Sequence, residues 1–108
     1  MKIVAVTACP TGIAHTYMAQ EAIEKECQKR GYDYQVETQG GMGIENELEQ
    51  EVIDAADAVI LAIAVEIEGE DRFDEKREAQ QVLTADPSEV IKDPARFIDE
   101  AEKIVGNA

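Results

Sequence analysis

Apolar residues along the chain fall into short continuous runs that alternate with longer stretches of helical spacing. The runs KIVAVTA at 2–8 and DAVILAIAV at 57–65 predict buried strands, the second covered on both faces. The segment YDYQVETQ at 32–39 alternates apolar and polar residues and predicts a half-buried strand near a sheet edge. A fourth, weaker strand is predicted for REAQQVL at 77–83.

The first helix is predicted between the first two of these strands, over residues 16–31. Ala19, Ile23 and Cys27 recur there at intervals of four residues and form one apolar stripe. Gly31 is a typical residue at the end of a helix.

The remaining segments predict shorter elements. A helix is expected around 47–56, and the stretches DPSEV and DPARFIDEAEKIV, which begin at 86 and 93, predict helices that start at a proline. Residues 40–46 predict a glycine-rich loop, and residues 66–76 a charged connection.

This alternation predicts an α/β fold. We expect a single domain over residues 1–108, a three-layer open sandwich with a four-stranded parallel sheet and helices on both faces. The candidate phosphate loop would lie between the first strand and the first helix.

Charge and cysteine content narrow the function classes. The formal net charge of −14 disfavours nucleic-acid binding and polybasic membrane docking, because both need positive charge. Two cysteines do not make a disulfide framework, and the start of the chain does not look like a signal peptide. We therefore expect a cytoplasmic, reduced protein.

Cys9 stands at the position with the strongest candidate chemistry. It comes one residue after the first predicted strand, where ligands bind in open α/β sheets, and just before a helix. The backbone N–H groups at a helix N-terminus attract anions and also stabilise a thiolate. The segment therefore predicts a cysteine that accepts a phosphoryl group, with an anion loop made by the residues that follow it: Pro10, Thr11, Gly12, Ile13, Ala14, His15 and Thr16.

Other roles for the cysteines fit less well. Cys27 lies on the apolar stripe of the first helix, which predicts a small buried side chain. One histidine and two cysteines at these spacings match no zinc pattern, and position 12 is glycine where a thioredoxin-type motif needs a second cysteine. We expect neither a metal nor a cofactor.

A cysteine-dependent phosphatase or arsenate reductase is the alternative from these residues. Loops of that kind carry an arginine six residues after the nucleophile, where this chain has His15. Histidine in place of arginine would hold the phosphate less tightly, which suits a carrier that passes the phosphoryl group to another molecule. A non-catalytic regulator is a third possibility.

Three stretches together carry a family resemblance. AVTACPTGIAHTYMAQEAIE at 5–24, VETQGGMGIEN at 36–46 and ADAVILA at 56–62 resemble the enzyme IIB component, fructose family, of the phosphoenolpyruvate-dependent sugar phosphotransferase system. The resemblance is strong over residues 1–75 and looser beyond, where DRF at 71–73 is similar to the family's ERF.

The resemblance implies a phosphocysteine relay through Cys9. A IIA component would donate the phosphoryl group from phosphohistidine, and a membrane-embedded IIC component would hold the sugar, fructose or a fructose-like hexose. It also implies a monomer that meets the inner face of the membrane through IIC. Gln39, Gly40 and Gly41 match the family's ETQG stretch and form a possible rim of the site.

Overall fold

The computed structural model describes residues 1–9, 13–40 and 43–106, and the side chain of Ile13 lies outside that description. A single 3₁₀ turn lies in these ranges, at Glu70–Phe73. The strands and helices are β1 (Lys2–Ala8), α1 (Ile13–Arg30), β2 (Asp33–Gly40), β3 (Gly43–Glu45), α2 (Gln50–Ala55), β4 (Ala58–Ile63), α3 (Asp74–Glu78), β5 (Val82–Ala85), α4 (Pro87–Lys92) and α5 (Pro94–Gly106).

The sheet has the order β3-β2-β1-β4-β5. Its strands β2, β1, β4 and β5 are parallel, as predicted, and β3 pairs antiparallel with β2. The α/β fold class is therefore confirmed, with five strands in place of the predicted four.

The additional strand β3 lies in the segment predicted as a loop. Gly43, with φ of 92°, and Asn46, with φ of 55°, take left-handed backbone conformations on either side of Ile44. The short strand pairs with β2 in a register that places Ile44 opposite Gln39. The three glycines of the segment predicted a loop and not a strand, because glycine is depleted in strands.

The fourth parallel strand starts five residues later than predicted. The segment predicted as a strand begins in α3, and Gln80, with φ of 60°, ends the turn that follows this helix. β5 then pairs with β4 from Val82 onwards. The predicted position was wrong because Arg77 and Glu78 are good helix formers and extend α3.

Two apolar cores cover the two faces of the sheet. Alternate residues of β1 face opposite sides: Ile3 packs with Ile98 of α5, and Val4 packs with Phe73 of the 3₁₀ turn. These side chains are fully buried, and burial of each contributes roughly 1.5–3 kcal/mol to stability. β1 is the middle strand of the sheet and has one apolar core on each of its faces.

None of the helices within the described ranges is long and apolar enough to span a membrane.

Candidate functional site

Cys9 follows directly on the central strand. The last residue of β1, Ala8, lies in register between Gln39 of β2 and Ile63 of β4. Cys9 is half-buried at the carboxyl edge of the sheet, where ligands bind in open α/β folds. The strand assignment thus places the thiol where the sequence predicted it.

The side chain of His15, a residue of the predicted loop, lies beside Cys9. Its Nδ1 atom lies 4.0 Å from Cys9 Sγ, and its imidazole is exposed in the first turn of α1. Because either ring nitrogen can donate a hydrogen bond, the imidazole can stabilise negative charge on the sulfur or on a group bound to it.

The first turn of α1 is tied to the central strand by buried polar contacts. The Thr7 hydroxyl donates a hydrogen bond of 3.0 Å to the backbone oxygen of Thr16. Both threonines are fully buried. A Cβ at Gly40 would lie 3.8 Å from Thr16 Cγ2, so the end of β2 also contacts this turn. Thr16 and Gly40, predicted in different segments, are therefore neighbours.

Several predicted site residues cannot be placed. Pro10, Thr11, Gly12 and Gly41 lie outside the described residues, as does the side chain of Ile13. Ala14 is described and is exposed at the start of α1.

The Gln39 side chain bonds to the segment that follows β4. Its Oε1 accepts from Glu68 N at 2.8 Å, and its Nε2 donates to Glu68 O at 3.0 Å. The same Nε2 donates to Glu37 Oε2 at 2.6 Å. Both ends of the amide group are thus engaged with neighbouring chain segments.

Next to Gln39 lies a buried ion pair that the sequence did not predict. Arg72 donates to both oxygens of Glu37, with NH1–Oε1 and NH2–Oε2 distances of 2.8 and 3.0 Å. Glu37 is fully buried and also accepts from Leu48 N at 2.7 Å. Burial raises the pKa of Glu37, but the hydrogen bonds from Arg72, Leu48 and Gln39 outweigh it, so this pKa lies below its ordinary value.

Only indirect signals of this pair exist in the sequence. Glu37 stands on the polar side of an alternating strand, and Arg72 stands in a charged connection 35 residues later. Neither pattern distinguishes a buried ion pair from two solvated charges.

Asp86 lies at the carboxyl end of β5. It caps α4 by accepting a hydrogen bond of 2.9 Å from Ser88 N, which confirms the predicted helix start. The Ser88 hydroxyl and N–H lower the pKa of Asp86, and the nearby charge of His15 lowers it further. The carboxylate is therefore within electrostatic reach of the imidazole.

The second cysteine has no access to this site. Cys27 lies on the inner face of α1, fully buried in the core, and burial raises its pKa to about 11. It forms no disulfide with Cys9. Within the described ranges no group of three or more His, Cys, Asp or Glu side chains is arranged to hold a metal ion.

The described residues define an open α/β domain with a thiol at the carboxyl end of its central strand and an imidazole beside that thiol. Comparison with known proteins gives the family. Residues 4–100 match the family model of the phosphotransferase system (PTS) described as the lactose/cellobiose-specific IIB subunit. The chain belongs to the IIB family of the sugar phosphotransferase system, as the sequence predicted.

The relatives are named for fructose. The chain is 54% identical over 72 residues to the PTS fructose-like EIIB component 2 of Escherichia coli, covering 67% of this chain and 68% of that protein. It is 50% identical over 76 residues to the fructose-specific EIIB'BC component of Vibrio cholerae, covering 70% of this chain and 13% of that protein.

A solved structure has the same fold. The chain superposes with a TM-score of 0.84 and 48% identity on a domain of the fructose-specific IIABC component of Borrelia burgdorferi, covering 93% of this chain and 91% of that domain.

Proposed function

We propose that this chain is a phosphocysteine carrier, with residues 1–108 acting as one IIB domain. It accepts a phosphoryl group from phosphohistidine of a IIA component on Cys9 and passes it to a sugar during uptake through a membrane IIC component. The observation that carries the proposal is the half-buried Cys9 thiol at the carboxyl edge of the sheet, 4.0 Å from His15 Nδ1, in a chain of the IIB family.

In the first step, the Cys9 sulfur attacks phosphorus and the P–N bond to the donor histidine breaks. The thiol gives up its proton, and the departing imidazole takes one up, so the exchange is balanced. Transfer of this kind depends on positioning and charge stabilisation more than on covalent chemistry by other residues. His15 is placed to stabilise the negative charge of the phosphoryl group.

In the second step, a sugar hydroxyl oxygen attacks phosphorus and the S–P bond breaks. The hydroxyl loses its proton to solvent, and Cys9 leaves as a thiolate. The N–H groups expected at the loop of residues 10–16 would stabilise the phosphoryl oxygens in both steps.

The names of the relatives support the partners. The Vibrio cholerae relative is named an EIIB'BC component, and the Borrelia burgdorferi domain comes from a IIABC component. In those proteins the B unit therefore shares a chain with C or with A and C. We propose that the present chain works as a monomer in the cytoplasm and meets the inner face of the membrane through IIC.

The sugar is proposed as fructose or a fructose-like hexose. The relative at 54% identity carries a fructose-like name, whereas the family model is described by lactose and cellobiose. Because the sugar would be held by IIC, only transport with a matched IIC component distinguishes these sugars.

The alternative hydrolase function is not favoured by the site. His15 occupies the sequence position where a Cys-x5-Arg loop would place its arginine. The bidentate contact that such an arginine makes with phosphate is therefore missing at this position.

The decisive experiment is the intact mass of the protein after incubation with phosphorylated IIA. Wild type and Cys27→Ala are compared with Cys9→Ser, and Cys27→Ala is the matched control because its thiol is buried in the core. We expect one phosphoryl group on the first two proteins and none on Cys9→Ser.

Phosphate on Cys9→Ser would contradict the assignment of the acceptor. Wild type that gains no phosphate would contradict the carrier function. Release of inorganic phosphate from a generic aryl phosphate, abolished by Cys9→Ser, would favour the hydrolase instead.

A further inference from the structure

We propose that Arg72 and Glu37 are positioning residues of the phosphoryl-transfer site: through the Gln39 side chain, their buried ion pair holds residues 64–69 as a fixed wall beside Cys9. The inference rests on the proposed function. It assigns a role in phosphoryl transfer to Arg72 and Glu37, which act on the site through Gln39.

The wall begins at the end of β1, one residue before Cys9. Ala64 N donates a hydrogen bond of 3.0 Å to Ala8 O, the carbonyl oxygen of the residue that precedes Cys9. Residues 64–69 form neither helix nor strand, so regular backbone pairing does not hold them in place. Ile67, which is buried, anchors the segment to the core on one side.

On the other side, Gln39 pairs with the backbone of Glu68. Its amide group makes both hydrogen bonds that a neighbouring strand would make, to Glu68 N and Glu68 O. Gln39 lies in register with Ala8 of β1. The bonds from Gln39 to Glu68 therefore fix the wall relative to the strand that leads into Cys9.

Arg72 holds the same segment from behind. Its guanidinium donates to Gly69 O at 2.7 Å and to Glu68 O at 3.2 Å while it pairs with Glu37. Gly69 leaves the space that this approach needs, since a Cβ there would lie 2.6 Å from Arg72 Nε. The ion pair therefore orients Gln39 through Glu37 and the Glu68 backbone through Arg72.

A fixed wall matters for charge as well as for shape. Glu66 and Glu68 have exposed side chains in this segment. A phosphoryl group on Cys9 is negatively charged, and a movable segment would bring like charge towards it. Holding the backbone keeps the Cα positions of both residues fixed relative to β1, and misplacement of groups around a reacting centre by as little as about 1 Å lowers rates strongly.

The test compares Arg72→Lys and Gln39→Met with Arg77→Lys. Arg72→Lys keeps a positive charge for Glu37 but loses the paired donors of the guanidinium. Gln39→Met keeps both members of the ion pair but loses the two bonds to Glu68 and the one to Glu37. Arg77 is the matched control, because this neighbouring arginine is 40% exposed and makes a surface ion pair of 3.1 Å with Glu70.

Two quantities are measured on each protein: amide hydrogen exchange of residues 64–69, and the rates of phosphoryl transfer from phosphorylated IIA and onward to sugar. For Arg72→Lys and Gln39→Met we expect exchange in the wall to rise about tenfold while β1 stays protected. We expect kcat to fall about tenfold with KM for phosphorylated IIA within about twofold of wild type, and Arg77→Lys to match wild type in both quantities.

Faster exchange without a change in kcat would overturn the positioning role, and unchanged exchange would show that the ion pair does not hold the wall. If Arg72→Lys fails to fold, Gln39→Met still decides, since its ion pair is intact. Wild type that accepts no phosphate would overturn the proposed function and this inference together, a result visible without any variant.

Discussion

The hydroxyl of Thr7 on the central strand donates a hydrogen bond of 3.0 Å to the backbone oxygen of Thr16 in the first turn of α1. Thr7 precedes Cys9 by two residues, and Thr16 follows His15 directly. One buried bond therefore ties the strand that leads into Cys9 to the helical turn that carries the imidazole.

Replacing Thr7 by valine removes this bond and nearly keeps the side-chain shape. We expect Thr7→Val to lower the free energy of unfolding by about 1 kcal/mol, the usual net contribution of one hydrogen bond. Urea unfolding measures this difference. Thr84→Val in β5 is the control, because Thr84 is exposed and its substitution should change stability by less than about 0.5 kcal/mol. Equal effects of the two substitutions would contradict a specific role of the Thr7 bond.

The two thiols should differ sharply in reactivity. We expect iodoacetamide at pH 8 to modify only Cys9 in the folded protein, because Cys27 is fully buried and its pKa is raised to about 11. Intact mass should show one adduct on the native chain and two after unfolding in urea. Native Cys9→Ser should gain none, and an adduct on that variant would show that Cys27 is accessible.

Glu37 should make stability depend on pH in the acidic range. Its pKa in the folded protein lies below the ordinary value of 4.5, so between those two values the unfolded chain binds more protons than the folded one. The contribution of Glu37 is therefore complete above the ordinary pKa and is lost as the pH falls through the lower, folded-state pKa.

Glu37→Gln isolates this contribution from those of the other carboxylates. At pH 7 we expect the variant to be less stable by about 3 kcal/mol, because Arg72 loses its buried partner. Urea unfolding of both proteins between pH 7 and pH 3 should show the difference shrinking as the pH falls below 4.5. Parallel curves across that range would show that Glu37 does not titrate in this way.

The sequence predicted the elements whose pattern is local. β1, β4 and α1 follow from apolar runs and a four-residue stripe, and these elements alone place Cys9 at the carboxyl edge of a parallel sheet. β3 and the position of β5 were not predictable in the same way. β3 is a three-residue strand that begins at Gly43, whose φ is positive, and is followed by Asn46, whose φ is also positive, and the position of β5 depends on where α3 ends.

The contacts around the site were the least predictable part. Gln39 was placed at the rim from a resemblance. Its bond to Glu37 lies within β2, but its bonds to Glu68 depend on how two distant segments pack. Arg72 reaches Glu37 across 35 positions of sequence, and its charge alone suggested only solvent exposure. Such pairings arise from tertiary structure and leave no periodic signal in one sequence.

His15 is the described side chain that most directly tests the proposed chemistry. Its Nδ1 atom lies 4.0 Å from Cys9 Sγ, close enough to contact a phosphoryl group carried on the sulfur. Removing one group that stabilises charge in a transition state commonly lowers kcat by about 10²-fold. We therefore expect His15→Ala to slow transfer to and from Cys9 by about that factor, measured by rapid quench with phosphorylated IIA, while the free energy of unfolding changes little because the imidazole is exposed.

Lys25→Ala is the matched control for His15→Ala, since Lys25 is a basic residue on the same helix whose side chain is 72% exposed. It should transfer phosphate at the wild-type rate. A His15→Ala rate equal to that of Lys25→Ala would show that the imidazole takes no part in the transfer. A rate loss restored by added imidazole would instead identify the missing ring as the cause.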